Sequence, residues 1–340
     1  MKNIILISDG KAGHESVSKG ILENLNEYID INIIIIHAKM RSNMFKPILK
    51  LLSNNRNFHK FFSLNLINFF YSLDYKKVNF DNIDLIVSTG GKTSFINILL
   101  SKLYNIPNIY CSSLRRLKPE LFSYIVTINY NDTYANALYF DIAPLKIKYN
   151  AEHATSFLNK LKLDSNQKIW SILIGGSTKT CKFKESEFID MINKIIKKAK
   201  TENVKVLLTT SRRTPKYVET YIEKMHKNYD NLAYFVLYNK KPEKVMGLFL
   251  QVSNIIFSTE DSTSMITEAI YSKKPTITIK PKNNNPQKSF KSLIKRSIAN
   301  KFIYSCYINE IDGLDIDSIK FNMYNDDDNI KNFIKIKDLL

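Results

Sequence analysis

The chain has 340 residues, with 50 Lys and Arg against 32 Asp and Glu, and 44% of it is hydrophobic. At about 150 residues per domain this length suggests two domains, and the apolar share excludes a disordered chain or a mini-protein that needs staples. A net charge of +18 draws anions, yet only seven of the cations are Arg, and the abundance of Lys, Asn and Ile marks part of that charge as compositional.

Asn3–Ser8 opens the chain as a short β-branched run, too short for a signal peptide, and no apolar block reaches the ~18 residues of a membrane span. Ile31–His37, Asp84–Ser88, Asn108–Cys111 and Tyr124–Asn129 are further strand candidates, alternating with amphipathic stretches as βαβ units do. A second set follows in Ile169–Ile174, Lys205–Thr210, Ala233–Leu237, Ile255–Ser258 and Thr276–Ile279. The expected fold class is therefore α/β, with two Rossmann-like halves at 1–150 and 151–340. The spacing of Ile330, Phe333, Ile334 and Leu339 predicts a packing helix at the C-terminus, assigned to the second half. Cys111, Cys181 and Cys306 form neither a CxxC nor a His/Cys cluster, so a reducing compartment without zinc is expected. The expected location is the cytoplasm, with attachment to the inner face of the cell membrane left open.

Ligands of open α/β sheets sit at the carboxyl ends of strands, where free helix N–H groups face anions. Five stretches fall there. Asp9-Gly10-Lys11-Ala12-Gly13-His14-Glu15 crowds more ionisable groups into one turn than a helix cap needs, so Glu15, His14 and Asp9 are candidate catalytic groups, and Lys11 and Gly13 candidate ligand contacts. Glu15 ranks first as a base, being a carboxylate tunable by Lys11 and His14; Asp9 ranks last, as a turn-former. Thr89-Gly90-Gly91-Lys92-Thr93 looks like the end of a phosphate loop, but the first Walker glycine would fall on Ile86 inside the strand, leaving a substrate-touching or plain turn. Gly175-Gly176-Ser177-Thr178-Lys179 repeats the arrangement. Ser211-Arg212-Arg213-Thr214-Pro215 places two of the scarce arginines at a strand end, where forked donors suit phosphate; Arg115-Arg116 is a similar signal. Glu260-Asp261-Ser262-Thr263-Ser264 supplies hydroxyls to a helix start, with Glu268 further along that helix.

DGKAGHE, IGGSTK, TSRRTP and TEDSTSMITEA, in this order, resemble the four signatures of the GT-B-like proteins named for the plant Elongated Mitochondria protein, over about residues 5–280. The resemblance implies a GT-B glycosyltransferase whose C-terminal domain holds a nucleotide-sugar donor and whose N-terminal domain holds the acceptor across a cleft. It implies that Gly175, Gly176, Ser211 and Arg212 line the nucleotide and phosphates, Ser262 to Ser264 the diphosphate, and Glu268 the ribose. The expected reaction moves sugar to a cell-envelope glycan or lipid-linked acceptor with inversion, without metal or other cofactor, since no DxD-like motif stands in a plausible loop. A sugar-nucleotide epimerase or hydrolase on the same fold, and a non-catalytic basic membrane adaptor, are the competing readings. Nucleic acid is not an expected partner, because no recognition motif accompanies the charge.

Residues 44–77 look individual to this protein. Phe58, Phe61, Phe62, Leu66, Phe69, Phe70 and Leu73 would share one helical face, and Arg41 to Lys77 holds seven cations against Asp74 alone. Such a helix could lie against anionic lipid or be a core stripe.

Overall fold

The computed structural model describes the whole chain except residues 76–77, 129, 131–132, 148, 165, 179–180 and 326–328. It divides into two compact units, Met1–Lys146 with Asn325–Leu340, and Ile147–Tyr324.

The first unit runs β1 (Lys2–Ser8), α1 (Ala12–Leu25), β2 (Ile31–Met40), α2 (Lys46–Asn54), α3 (Arg56–His59), α4 (Leu64–Phe70), β3 (Tyr71–Leu73), β4 (Leu85–Thr89), α5 (Thr93–Tyr104), β5 (Asn108–Cys111), β6 (Tyr124–Thr127) and β7 (Ala137–Tyr139). Its sheet has the order β3-β2-β1-β4-β5-β6-β7, parallel except for β3. β1 reads as an unbroken apolar run because both sheet faces are covered. Ile5, Ile7 and Ile86 pack with Phe95 and Leu99 of α5 on one side, while Ile4, Leu6, Leu85 and Val87 pack with Ile21, Leu22 and Leu25 of α1 on the other.

The second unit runs α6 (Ala151–Lys160), β8 (Ile169–Ile174), β9 (Cys181–Lys182), α7 (Glu185–Thr201), β10 (Lys205–Thr210), α8 (Lys216–Met225), β11 (Leu232–Val236), α9 (Met246–Val252), β12 (Ile255–Thr259), α10 (Thr263–Tyr271), β13 (Thr276–Lys280), β14 (Asn283–Asn284), α11 (Lys288–Ala299) and β15 (Tyr304–Tyr307). Its main sheet, β11-β10-β8-β12-β13-β15, is wholly parallel. Trp170, Ile172 and Ile174 of β8 face α7, where Phe188, Ile192, Ile195 and Ile196 are fully buried.

Counted along the chain, each sheet follows the doubly wound order 3-2-1-4-5-6, the first with one strand more. The order reverses between β1 and β4, and again between β8 and β12. A crevice for a ligand opens at the carboxyl ends of such strand pairs.

Two expectations need correction. The C-terminal helix α12 (Ile330–Lys337) belongs to the first unit, where buried Phe333 and Ile336 join the α1 side of the core; Ile330 and Ile334, expected on the packing face, are exposed. Residues 44–73 are not one amphipathic helix. The Asn55 side chain accepts from Asn57 N and starts α3, and the Ser63 hydroxyl accepts from Leu66 N and starts α4, so the segment is cut twice. Phe62 and Phe70 are core at 6% and 3% exposure, whereas Phe61 and Phe69 are 63% and 62% exposed. Phe62→Ser should therefore cost about 3–5 kcal/mol of stability and Phe61→Ser about 0.5 or less. Urea unfolding of the two variants checks this, and equal small losses would remove Phe62 from the core.

Candidate functional site

In the first unit, the turn after β1 is held by its own side chains. Ser8 donates its hydroxyl proton to Glu15, and Gly10 N donates to Ser8 Oγ at 2.9 Å. Asp9, with its side chain 5% exposed, accepts from Lys11 Nζ and from His14 Nδ1, each at 3.0 Å. A carboxylate has no proton to give, so a neutral His14 must donate from Nδ1, and the lone pair then stands on Nε2. Burial pushes the Asp9 carboxyl up, but Lys11 and His14 outweigh it and hold the group below its ordinary range. Ser8, aided by Lys19 against the effect of burial, holds Glu15 below its ordinary range as well.

Glu15 has both oxygens engaged, one by Ser8 and the other by Lys19 Nζ at 3.3 Å. His14 Nε2 has no hydrogen-bond partner among the described residues, and Asp9 orients the ring. The turn after β4 comes to meet this imidazole: Gly90 has φ +105°, and a Cβ there would lie 2.4 Å from His14 Nδ1. A Cβ on Gly91 would lie 2.6 Å from Arg115 Nη1. Gly90 is demanded by its positive φ and by the imidazole packed on it, whereas the contact at Gly91 is with the flexible end of Arg115. Lys92 caps α5, and its carbonyl accepts from the hydroxyl of Tyr71 at 2.6 Å. Gly13 lies in the first turn of α1.

In the second unit, three strand ends are tied by one carboxylate. Asp261 accepts from Gly176 N at 3.0 Å, from Thr259 Oγ1 at 2.6 Å and from Arg213 Nη2 at 2.7 Å. Its side chain is 0% exposed against 42% for Arg213. Burial pushes the Asp261 carboxyl up, and its three donors pull it back only in part. A Cβ on Gly175 would meet Asp261 Oδ1 at 2.0 Å, and one on Gly176 the Arg213 carbonyl at 2.2 Å, so only glycine fits either place. Thr214 Oγ1 braces the same loops, donating to the carbonyls of Ile174 and Gly175 at 3.0 and 2.5 Å and accepting from Ser211 N at 2.8 Å.

Glu260 takes a different place from the one expected. Its buried carboxylate accepts from Thr278 Oγ1 at 2.9 Å and Ser305 Oγ at 2.6 Å, which ties β12 to β13 and β15 and directs it into the sheet. Lys179 lies outside the described residues. Arg212 is exposed and has no partner among the described residues, whereas Arg213 is committed to Asp261. Ser262 begins α10 without a side-chain cap, so the helix N–H groups are open, and no hydrogen bond engages the hydroxyls of Ser262, Thr263 or Ser264 among the described residues.

Glu268, within α10, is the other open group, and burial alone pushes its carboxyl up to about 7. A folded-state value raised above the unfolded one gives a contribution that is full below the unfolded value and is lost as pH rises to about 7. Glu268→Gln should therefore raise the melting temperature at pH 8 and change it little at pH 4. Equal shifts at both pH values would place this carboxyl in water.

Sequence reasoning missed Thr259, Thr214 and Ser8 as braces, because a lone hydroxyl gives no spacing signal. Asp261 and Arg213 were identifiable as residues but not as a pair, being 48 positions apart. Among the described residues no group of three or more His, Cys, Asp or Glu could hold a metal ion, and no helix is long and apolar enough to cross a membrane.

Comparison with solved structures shows the GT-B fold. A co-structure of S. aureus MnaA with UDP has a TM-score of 0.59 at 13% identity, covering 100% of this chain and 98% of that one. UDP-GlcNAc 2-epimerase from Methanocaldococcus jannaschii has a TM-score of 0.57 at 13% identity, covering 99% and 100%. The E. coli ADP-heptose lipopolysaccharide heptosyltransferase II has 0.51 at 11% identity, covering 100% and 98%. No curated protein matches the chain by sequence. The family described as Mitochondrial fission ELM1 matches residues 12–322, over nine-tenths of the length, and the chain belongs to that family.

Proposed function

We propose that the protein is a metal-independent, inverting glycosyltransferase that moves a sugar from a nucleotide-sugar donor to a glycan or lipid-linked acceptor of the cell envelope. The observation that carries this reading is the carboxyl edge of the second unit, where an uncapped nine-residue helix, three hydroxyls and Arg212, none of them engaged among the described residues, stand beside two glycines that admit no side chain. Such an edge suits a diphosphate, whose charge is met by helix N–H groups and a guanidinium. Glu268 suits the ribose hydroxyls, and Gly175, Gly176 and Ser211 the nucleotide.

In the reaction, the acceptor hydroxyl oxygen bonds to the anomeric carbon. The bond from that carbon to the diphosphate oxygen breaks, and its electron pair leaves with the diphosphate. The hydroxyl proton passes to His14 Nε2, and Asp9 stabilises the imidazolium that results. Asp261 and Arg213 are positioning residues, since they shape the donor edge and touch each other.

Incubating the full chain with UDP-, GDP-, ADP- and CMP-sugars, with and without acceptor glycolipids, tests the reading. Nucleotide release that needs the acceptor supports transfer. Conversion or hydrolysis without acceptor would favour an epimerase or hydrolase, and no stabilisation by any nucleotide would leave the adaptor. Arg212→Ala should weaken nucleotide binding by about 1.5–3 kcal/mol, the worth of a charge-assisted hydrogen bond to phosphate. Unchanged affinity by titration would make Arg212 a solvated turn residue.

A further inference from the structure

The first unit holds a cavity of ≈ 540 Å³ between α2, α5 and the loop after β5. This volume is in the range of small-molecule sites. Leu51, Phe95, Leu114 and Leu117 give it an apolar wall, and the charged residues lining it are Lys46, Lys50 and Arg115, with no carboxylate. None of these three cations has an ion-pair or hydrogen-bond partner among the described residues. The exposed Met44, in the turn before α2, and Ile48 and Leu51 of α2 extend the apolar surface.

The loop that carries Arg115 is built, not slack. Arg115 and Arg116 adopt φ +50° and +70°, a conformation that side chains rarely take and that surrounding structure must hold. Asn54 of α2 does so by donating to the Arg116 carbonyl at 3.0 Å and accepting from Lys118 N at 3.0 Å. The result places the Arg115 guanidinium on Gly91, which also lines the cavity, and the residue before it, Gly90, backs the imidazole of His14.

We propose that this cavity binds the apolar chain and phosphate of a lipid phosphate, with the chain against Leu51, Phe95, Leu114 and Leu117 and the phosphate held by Lys46, Lys50 and Arg115. Apolar walls alone would accept any lipid; three unpaired cations with no counter-charge select an anionic one. Resting on the transferase reading, the inference names the acceptor class as a glycan carried on a lipid phosphate, because the cavity adjoins the turn that bears the base.

Dodecyl phosphate, used below its micelle concentration and titrated into the full-length protein, tests this. Binding should weaken roughly ten-fold or more in Lys46→Ala/Lys50→Ala and likewise in Leu51→Trp, which narrows the cavity from an exposed position and leaves the core intact. Inorganic phosphate and dodecyl maltoside should each fail to compete. Equal affinity in the parent and both variants would overturn the proposal, as would competition by inorganic phosphate alone, which would mark a plain anion site. Binding to phosphatidylglycerol vesicles without binding to monomeric dodecyl phosphate would also overturn it, in favour of a membrane-facing surface. Nucleotide titration of the same samples separates the two readings: nucleotide binding without dodecyl phosphate binding sinks this proposal alone, and the converse sinks the transferase reading while the cavity stands as a lipid-phosphate site.

Discussion

His14→Asn should lower the rate of sugar transfer about 10²–10⁴-fold while nucleotide affinity stays unchanged, the pattern of a lost general base. The expectation rests on the one ring nitrogen that the Asp9 hydrogen bond leaves open. Asp9→Asn should fall nearly as far, since an amide can accept or donate and no longer dictates which ring nitrogen carries the proton. Glu15→Gln should cost less, because Glu15 is already held in the charged form by Ser8 and Lys19, and a carboxylate so stabilised takes a proton poorly. Steady-state rates for the three variants, with nucleotide affinity measured separately, decide the matter. A Glu15→Gln enzyme slower than His14→Asn would return the role to the carboxylate.

Gly175→Ala should unfold or distort the carboxyl edge of the second unit, costing about 3 kcal/mol and a fall in melting temperature on the order of 10 °C, with loss of the nucleotide binding proposed for it. The added methyl group would sit 2.0 Å from Asp261 Oδ1, and that carboxylate cannot step aside, since three donors hold it and its side chain has no exposure. Asp261→Ala should cost a similar amount by another route, leaving Gly176 N–H and the Thr259 hydroxyl buried without an acceptor. Gly247→Ala and Gly313→Ala are the controls, as nothing lies within 4 Å of a Cβ at either position. If Gly175→Ala behaved like the controls, the crowding at this turn would be relieved at no cost and the rigid-edge account would be wrong.

The sequence by itself determined ten strands, nine central and the edge strand β11, and the α/β class. A strand covered on both faces must be apolar throughout, and β1, β4, β8 and β12 carry that mark in their own residues. The glycine turns were legible for the same reason, since a backbone that side chains must approach closely excludes a Cβ whatever the partner. The edge strands β3, β7 and β15 were not legible, being three or four residues long and held by one neighbour only. Tertiary structure alone decided which ionisable groups are engaged. Asp9 and Glu15 look alike in DGKAGHE, yet one orients His14 and the other is closed off by Ser8 and Lys19. Arg212 and Arg213 are neighbours, yet only Arg213 reaches Asp261. Adjacent residues in a turn point in different directions, and hydrogen-bond partners come from strands brought together by the sheet order; neither is encoded in spacing along the chain.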